Sequence, residues 1–118
     1  MSIDGVGASR SALQAESRRL QASAHNRANM NTEGFKALRV SNVEASTPGA
    51  GVETRVERTD TPGPALLDAS GRVSGEGSNV DLVSEVVTRL TASRAYEANL
   101  RSLQGASDLD RSLLEVTR

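Results

Sequence analysis

The sequence lacks the residues that usually build a compact core or a reactive site. Its 118 residues include no cysteine and no tryptophan, and its aromatic residues are Phe35 and Tyr96. Without cysteine there is neither a disulfide nor thiolate chemistry. With so few large side chains, a core of ordinary size is difficult to fill. We therefore expect the isolated chain to be partly disordered and to become ordered on assembly.

Charge and hydropathy argue against two further classes of partner. The chain has 14 basic and 15 acidic residues, a net charge of −1, with both signs spread along its length. A nucleic-acid or anionic-membrane partner needs a basic patch, which this distribution does not provide. No apolar run approaches the roughly 20 residues of a membrane span. The N-terminus has no basic segment followed by an apolar core, so we expect no cleaved signal peptide.

The first segment, residues 1–34, predicts a helix that ends in an asparagine-rich turn. The larger apolar residues and one alanine share a helical stripe: Ile3, Val6, Leu13, Leu20 and Ala24. Gly5 and Gly7 weaken the first turn, which leaves open a later start near Ser9. Asparagine and glycine in residues 29–34 supply helix-ending conformations, so the helix should stop there.

The middle segment, residues 35–79, has the pattern of a small β-hairpin followed by an extended loop. Valine and leucine alternate with polar residues over about 36–45 and 51–58, and a turn cluster around Pro48 separates the two runs. Pro62 and Pro64 then favour an extended linker. Because a lone hairpin is marginal in water, this one must pack on the helices or on neighbouring chains.

The third segment, residues 80–118, predicts a long helix over about 80–116. Asn79 and Asp81 precede an apolar run, with Glu85 in the first turns, as is typical of a helix start. Spacings of four and three predict a left-handed coiled-coil seam, interrupted by polar residues. The seam comprises Leu82, Val86, Arg89, Ser93, Tyr96, Leu100, Leu103, Ser107, Asp110 and Leu114. An interrupted seam on so long a helix must pack against more than one neighbouring helix.

These segments together predict a mainly α fold. Long N- and C-terminal helices should pack as an antiparallel coiled-coil-like hairpin, with the small β-hairpin and extended loop between them. The three segments form one assembly-dependent domain.

We find no sequence pattern of a catalytic, cofactor or metal site. His25 is the single histidine, and no nucleophile motif accompanies it. Asp108 and Asp110 are two residues apart on a helix and therefore diverge. The glycines of residues 71–77 lack the spacings of phosphate-binding loops. We expect a non-enzymatic protein without cofactor, metal or small-molecule substrate.

Polar residues within the helical segments allow two interpretations. Arg89, Ser93, Glu97, Asn99 and Gln104 belong either to a solvated surface or to contacts that fix the register between subunits. The asparagines of the first turn region raise the same choice. They either end the helix or join side-chain amides to the backbone where chain segments cross.

Both ends of the chain resemble one known family. S-A-L-Q-A-E-S-R-R-L at residues 11–20 and A-N-M-N-T-E-G-F-K-A at 28–37 resemble the N-terminal signature of bacterial flagellar rod and hook proteins. S-N-V-D-L-V-S-E-V-V-T-R-L-T-A-S-R-A-Y-E-A-N-L at 78–100 resembles their C-terminal signature. The short middle segment and residues 64–73 are most similar to the small proximal rod proteins. Hook and distal rod proteins carry large inserted domains, for which this chain has no room.

The resemblance implies a structural subunit of the flagellar basal-body rod. Such proteins leave through the flagellar type III export apparatus without signal cleavage and polymerise in the periplasm as a helical tube. Their terminal helices line the export channel, and the rod transmits torque from rotor to hook. Implied partners are copies of itself and other rod proteins, with rotor MS-ring and export-gate proteins at the rod base and ring bushing proteins outside.

The resemblance and the helical seam together assign an assembly interface. We expect it to comprise Leu13, Leu20, Ala24, Asn26, Asn29, Thr32, Gly34, Asn79, Val80, Asp81, Val83, Val86, Leu90, Ala92, Arg94, Tyr96, Ala98, Asn99, Leu100 and Leu103. The alternative is a coiled-coil adaptor or export chaperone that binds flagellar axial proteins. A chaperone would fold stably alone and remain in the cytoplasm.

Overall fold

The computed structural model describes the backbone of residues 3–118 and the side chains of residues 5–118. Residues 1 and 2 of the predicted first segment, and the Ile3 side chain of its stripe, lie outside this description. The elements are α1 (Ile3–Ala28), β1 (Leu38–Glu44), β2 (Val52–Arg58), β3 (Ala65–Leu67), β4 (Val73–Glu76) and α2 (Leu82–Val116). The molecule measures 81 × 26 × 14 Å, and the predicted antiparallel helical hairpin is confirmed.

Helix α1 begins before its two glycines rather than after them. It includes Gly5 and Gly7, so the later start near Ser9 is wrong. Each glycine costs about 1 kcal/mol relative to alanine, and packing against α2 offsets this cost. The helix ends at Ala28, as the asparagine-rich turn predicts, and Gly34 in that turn has a positive φ of 69°.

The contact between α1 and α2 is made of small side chains. Ser23 Oγ donates a hydrogen bond to the Glu85 carbonyl oxygen over 3.1 Å, which sets the antiparallel register. The buried residues of both helices are almost all alanine or serine: Ser9, Ala15, Ala22, Ser23, Ala92 and Ala106, with Glu16 and Asn26 as the larger exceptions. Small side chains allow the two helices to approach closely but bury little apolar area.

The predicted heptad seam lies on the exposed side of α2 within the single chain. Its large members are exposed, including Leu82, Val86, Tyr96 and Leu100. The helix face that contacts α1 instead follows Ala92, with half-buried residues such as Glu85, Thr88, Ala95 and Asn99 on the same side. Apart from Ser93 and Leu103, which are half-buried, the seam is therefore exposed and available to other chains.

The first β-hairpin lies along α1. Strands β1 and β2 pair antiparallel, with Val40 opposite Val56, and they confirm the predicted hairpin. Ser11 Oγ accepts a hydrogen bond from the Val52 amide over 3.1 Å, and Arg18 donates to the Thr54 hydroxyl. Helix α1 thus contacts both α2 and the hairpin.

The predicted extended loop contains a second, shorter hairpin. Strands β3 and β4 pair antiparallel, with Ala65 opposite Glu76. The Asp68 carboxylate closes the turn by accepting hydrogen bonds from the Ser70 and Arg72 amides, at 2.8 and 3.0 Å. These bonds hold the pKa of Asp68 below its ordinary value, with the Ser70 hydroxyl as the largest cause.

Neither helix in the described part of the chain is both long and apolar enough to cross a membrane.

Candidate assembly surface

The Asn26 side chain joins α1, α2 and β1. Its exposed fraction is 1%. Its Oδ1 accepts from the Leu38 amide over 2.7 Å, and its Nδ2 donates to the Leu38 carbonyl oxygen over 2.8 Å. The same Nδ2 donates to Glu85 Oε1 at 2.9 Å. One buried side chain thereby fixes the start of β1 against both helices.

The Asn79 side chain holds the residue just before the same strand. Its Oδ1 accepts from the Ala37 amide over 2.6 Å, and its Nδ2 donates to the carbonyl oxygens of Thr59 and Thr61 at 2.7 and 2.9 Å. The Asn79 amide donates to the Phe35 carbonyl oxygen. Asn79 therefore connects the chain entering α2 with both ends of the first hairpin.

Asp81 caps the N-terminus of α2, as predicted. Its carboxylate accepts hydrogen bonds from the Val83 amide at 3.2 Å and from the Ser84 hydroxyl at 2.8 Å. The hydroxyl bond and then the amide bond lower the pKa of Asp81, so the cap stays ionised beside the positive end of the helix dipole.

A second polar cluster, not predicted from the sequence, fastens the two hairpins together. Glu76 Oε1 accepts from the Lys36 ammonium group and, over 2.6 Å, from the Gly63 amide. The Lys36 bond is the main reason why the pKa of Glu76 is lowered, and the Gly63 bond adds to it. In the sequence, Lys36 is notable as the single lysine among many arginines. This feature does not indicate that its partner is Glu76.

Helix α2 carries most of the large exposed apolar side chains, both on its outer side and on the C-terminal turns that extend beyond α1. The exposed residues are Leu82, Val83, Val86, Val87, Leu90, Tyr96, Leu100, Leu109, Leu113, Leu114 and Val116. At Val83 the exposed fraction is 72%, whereas at the inward-facing Ala92 it is 1%. An exposed apolar surface of this extent marks an interaction site.

The structure separates the predicted interface residues into two groups. Some are engaged inside the subunit, namely Asn26, Asn79, Asp81 and Ala92. Asn29, Thr32 and Asn99 make local bonds within their own turns. The others are exposed or half-buried: Leu13, Leu20, Ala24, Gly34, Val80, Val83, Val86, Leu90, Arg94, Tyr96, Ala98, Leu100 and Leu103.

Across the described residues, no group of three or more histidine, cysteine or carboxylate side chains is arranged to hold a metal ion. The His25 ring packs edge-on against Phe35, with ring centroids 5.5 Å apart. This contact gives His25 a structural role at the end of α1.

Two family models match the two ends of the chain. The model described as "Flagella basal body rod protein" matches residues 8–36, which include Asn26. The model described as "Flagellar basal body rod FlgEFG protein C-terminal" matches residues 69–116, which include Asn79 and most of α2. The matched segments contain the two asparagines that hold β1 and the exposed side of α2.

Curated relatives resemble the chain over most of its length. A protein named "Flagellar basal-body rod protein FlgC" from Yersinia enterocolitica is 34% identical over 116 residues, covering 84% of this chain and 85% of the relative. Proteins of the same name from Salmonella typhimurium strain LT2 and Escherichia coli O157:H7 are 36% and 34% identical over 110 residues. Each of these covers 79% of this chain and 81% of the relative.

These relatives are named as rod proteins themselves, so the adaptor or chaperone alternative is not favoured. The outward apolar side of α2 is consistent with a subunit that assembles. The chain belongs to the flagellar basal-body rod protein family, as a FlgC-like structural subunit.

Proposed function

We propose that this chain forms the proximal part of the flagellar rod and polymerises through its terminal helices into a periplasmic helical tube. The tube surrounds the export channel and transmits torque from rotor to hook. The subunit passes through the flagellar export apparatus without cleavage of a signal peptide.

The main support for this proposal is that small apolar side chains lie inside the subunit and large ones outside, the reverse of an ordinary globular protein. Inside the subunit, α1 meets α2 through alanine and serine, as at Ala15 and Ala92. Outside, valine and leucine remain in contact with solvent, as at Val83 and Leu100. Hydrophobic free energy is proportional to the apolar area removed from water. Most of the hydrophobic stabilisation of this chain is therefore gained when subunits pack together and bury these exposed side chains.

The predicted interface residues act in two ways in this proposal. Val83, Val86, Leu90, Tyr96 and Leu100 contact neighbouring subunits directly, since their side chains project from the exposed side of α2. The residues engaged inside the subunit act indirectly, by fixing the hairpin and α1 relative to that side.

The proposed partners are those that a subunit in the proximal rod would contact. Copies of this chain and other rod proteins form the tube, MS-ring and export-gate proteins contact its base, and ring bushing proteins surround it. The two β-hairpins, which lie away from α2, present their exposed edges to these outer proteins.

The direct test is quantitative mass spectrometry of hook–basal bodies purified from the source cell. We expect this chain at several copies per rod, in a fixed ratio to other rod proteins, and its loss from a strain that lacks the gene. Its absence from the particles, with recovery in the cytoplasm bound to rod subunits, would overturn the proposal in favour of a chaperone.

Circular dichroism of the purified chain provides a second test. We expect low helicity in dilute buffer and a rise on assembly or in helix-promoting solvent, because the interior of the subunit is made of small side chains. A fully helical monomer with a cooperative thermal transition would contradict the assembly-dependent fold.

A further inference from the structure

The C-terminal part of α2 extends beyond α1. Helix α2 has 35 residues and α1 has 26. The Ser23–Glu85 hydrogen bond fixes their antiparallel register, which brings the start of α1 opposite roughly Ala106. All residues of 107–118 are exposed. We call this segment, residues 107–118, the overhang.

The helix face that contacts α1 changes from small to large side chains where α1 ends. Ala92 and Ala106 on this face are buried against α1. Leu109 and Leu113 follow Ala106 by three and seven residues, so they continue the same face, yet they are 59% and 64% exposed. The intramolecular contact face thus continues as an uncovered stripe in which Leu109 and Leu113 lie on either side of Asp110 along the helix.

An open groove lies beside the opposite, N-terminal end of α2. Its volume is about 540 Å³, with Leu38 and Val40 of β1 on one wall and Val83 and Val87 of α2 on the other. Ala22 of α1 forms part of its floor. The groove walls thus combine these apolar side chains with polar ones, including Ser84, Thr88 and Thr91 of α2.

The overhang and the groove match in length. The groove follows α2 from Val83 to Thr91, which is about 12 Å at 1.5 Å per residue. The stripe from Leu109 to Val116 spans about 10 Å by the same measure.

Their charges are complementary. Arg19 and Arg39 line the groove, and its carboxylate, Glu85, is bonded to Asn26. Asp108 and Asp110 flank Leu109 on the overhang. Arg19 is already paired with Glu16 at 3.4 Å. Asp110, which follows Ala106 by four residues and lies on the face of the stripe, therefore meets Arg39 when the stripe enters the groove.

We propose that the overhang of one copy docks in the groove of a second copy, head to tail. This inference rests on the proposed polymerisation and names the contact that carries it. Because the two surfaces lie at opposite ends of α2, every copy that donates its overhang keeps a free groove. Repetition of such a heterologous contact produces an open helical series rather than a closed dimer.

Disulfide cross-linking tests this contact cleanly, since the natural chain has no cysteine. One full-length chain carries Val87→Cys and another carries Leu113→Cys, and the purified chains are mixed under oxidising conditions at increasing concentration. We expect a cross-linked dimer from the mixture and at least tenfold less from either chain alone. The matched control is Arg111→Cys, which is two residues away and points to the opposite side of the helix.

A chain carrying both Val87→Cys and Leu113→Cys should give a ladder of trimers and longer products. Adding Leu109→Asp to that chain should remove the ladder, whereas adding Arg111→Asp, on the opposite side of the helix, should leave it intact. A yield from Arg111→Cys equal to that from Leu113→Cys, or a strong dimer from Leu113→Cys alone, would overturn the head-to-tail contact.

Cross-linking within basal bodies separates this inference from the proposed function. Both cysteine chains are expressed in cells that lack the natural gene, and the purified particles are oxidised. Particles that contain both chains without a cross-linked product would refute the contact and leave the rod assignment standing. Absence of both chains from the particles, with efficient cross-linking of the purified proteins, would refute the rod assignment and leave the contact standing.

Discussion

Asn26 and Asn79 hold two consecutive residues, Leu38 at the start of β1 and Ala37 just before it. The Asn26 amide bonds both backbone polar groups of Leu38, and Asn79 accepts from the amide of Ala37. The two asparagines come from opposite ends of the chain, one near the end of α1 and the other just before α2. The junction of helices and hairpins is therefore fixed by side-chain amides, in a chain that has few large side chains for the purpose.

Replacing Asn26 with alanine should loosen this junction. The substitution leaves the Leu38 amide and carbonyl without partners in a buried position, at a cost of about 1–3 kcal/mol in the free energy of unfolding. Hydrogen–deuterium exchange should show faster exchange at the Leu38 amide, and the urea midpoint should fall. The matched control is Asn29→Ala, whose exposed local bonds should cost at most about 0.5 kcal/mol. Equal effects of the two substitutions would show that Asn26 only ends the helix.

Replacing glycine with alanine should have opposite effects on stability at Gly63 and Gly105. A Cβ at Gly63 would lie 2.2 Å from the Gly77 carbonyl oxygen, so Gly63→Ala must push apart the two chain segments at the base of the second hairpin. Gly105 in α2 has open space around its Cβ position, and Gly105→Ala should stabilise the helix by about 0.5–1 kcal/mol. Urea unfolding of the two variants under identical conditions measures the contrast. A neutral Gly63→Ala would show that the base of the second hairpin opens without cost.

Acid should weaken the junction between the hairpins. The Lys36 bond, followed by the Gly63 bond, lowers the pKa of Glu76 from its ordinary 4.5 in the folded chain. The resulting stability is present above pH 4.5 and is lost as the pH falls through the lower folded pKa. Glu76→Gln should therefore lower the urea midpoint at about pH 7 and have little effect once the carboxyl is protonated in both states. A difference that persists undiminished in acid would exclude this electrostatic origin.

Introducing a charge on the outer side of α2 should prevent assembly without unfolding the subunit. The Leu100 side chain is 37% exposed within the single chain, so Leu100→Asp leaves the α1 contact intact. In a subunit interface, however, the new carboxylate would be buried without a partner. We expect loss of motility and loss of the chain from purified basal bodies.

The control for Leu100→Asp is Gln21→Asp, which places the same charge at an exposed position of α1. This variant should swim normally. Wild-type motility of Leu100→Asp would show that the predicted seam does not mediate assembly.

The helices and the first hairpin were predictable because their signals are local. The run from Asp81 onward carries a cap and a periodic apolar pattern, and the hairpin has alternating valines on both sides of a turn. Strands β3 and β4 were missed because they have three and four residues and depend on Glu76 meeting Lys36 from a distant segment.

The face of α2 that contacts α1 was missed for a different reason. A search for heptads follows large side chains such as Leu82 and Leu100, whereas the contact uses Ala92 and Ala106. Both asparagines were singled out from the sequence, but their partners were not, because the Leu38 and Ala37 backbone groups become neighbours only in the folded chain.

The alanine contact between α1 and α2 determines how precisely the dimensions of the subunit are fixed. The separation of the helix axes sets the distance between the outer side of α2 and the hairpin that lies on α1. In a polymer, that distance recurs at every subunit, so a small error in one contact becomes a systematic error in pitch and diameter. Alanine has no side-chain rotamers and serine has few, which leaves the spacing with almost no freedom to vary. The small side chains inside this subunit therefore contribute little to its stability. They fix the helix spacing that repeats along the polymer, so the rod has a uniform pitch and diameter.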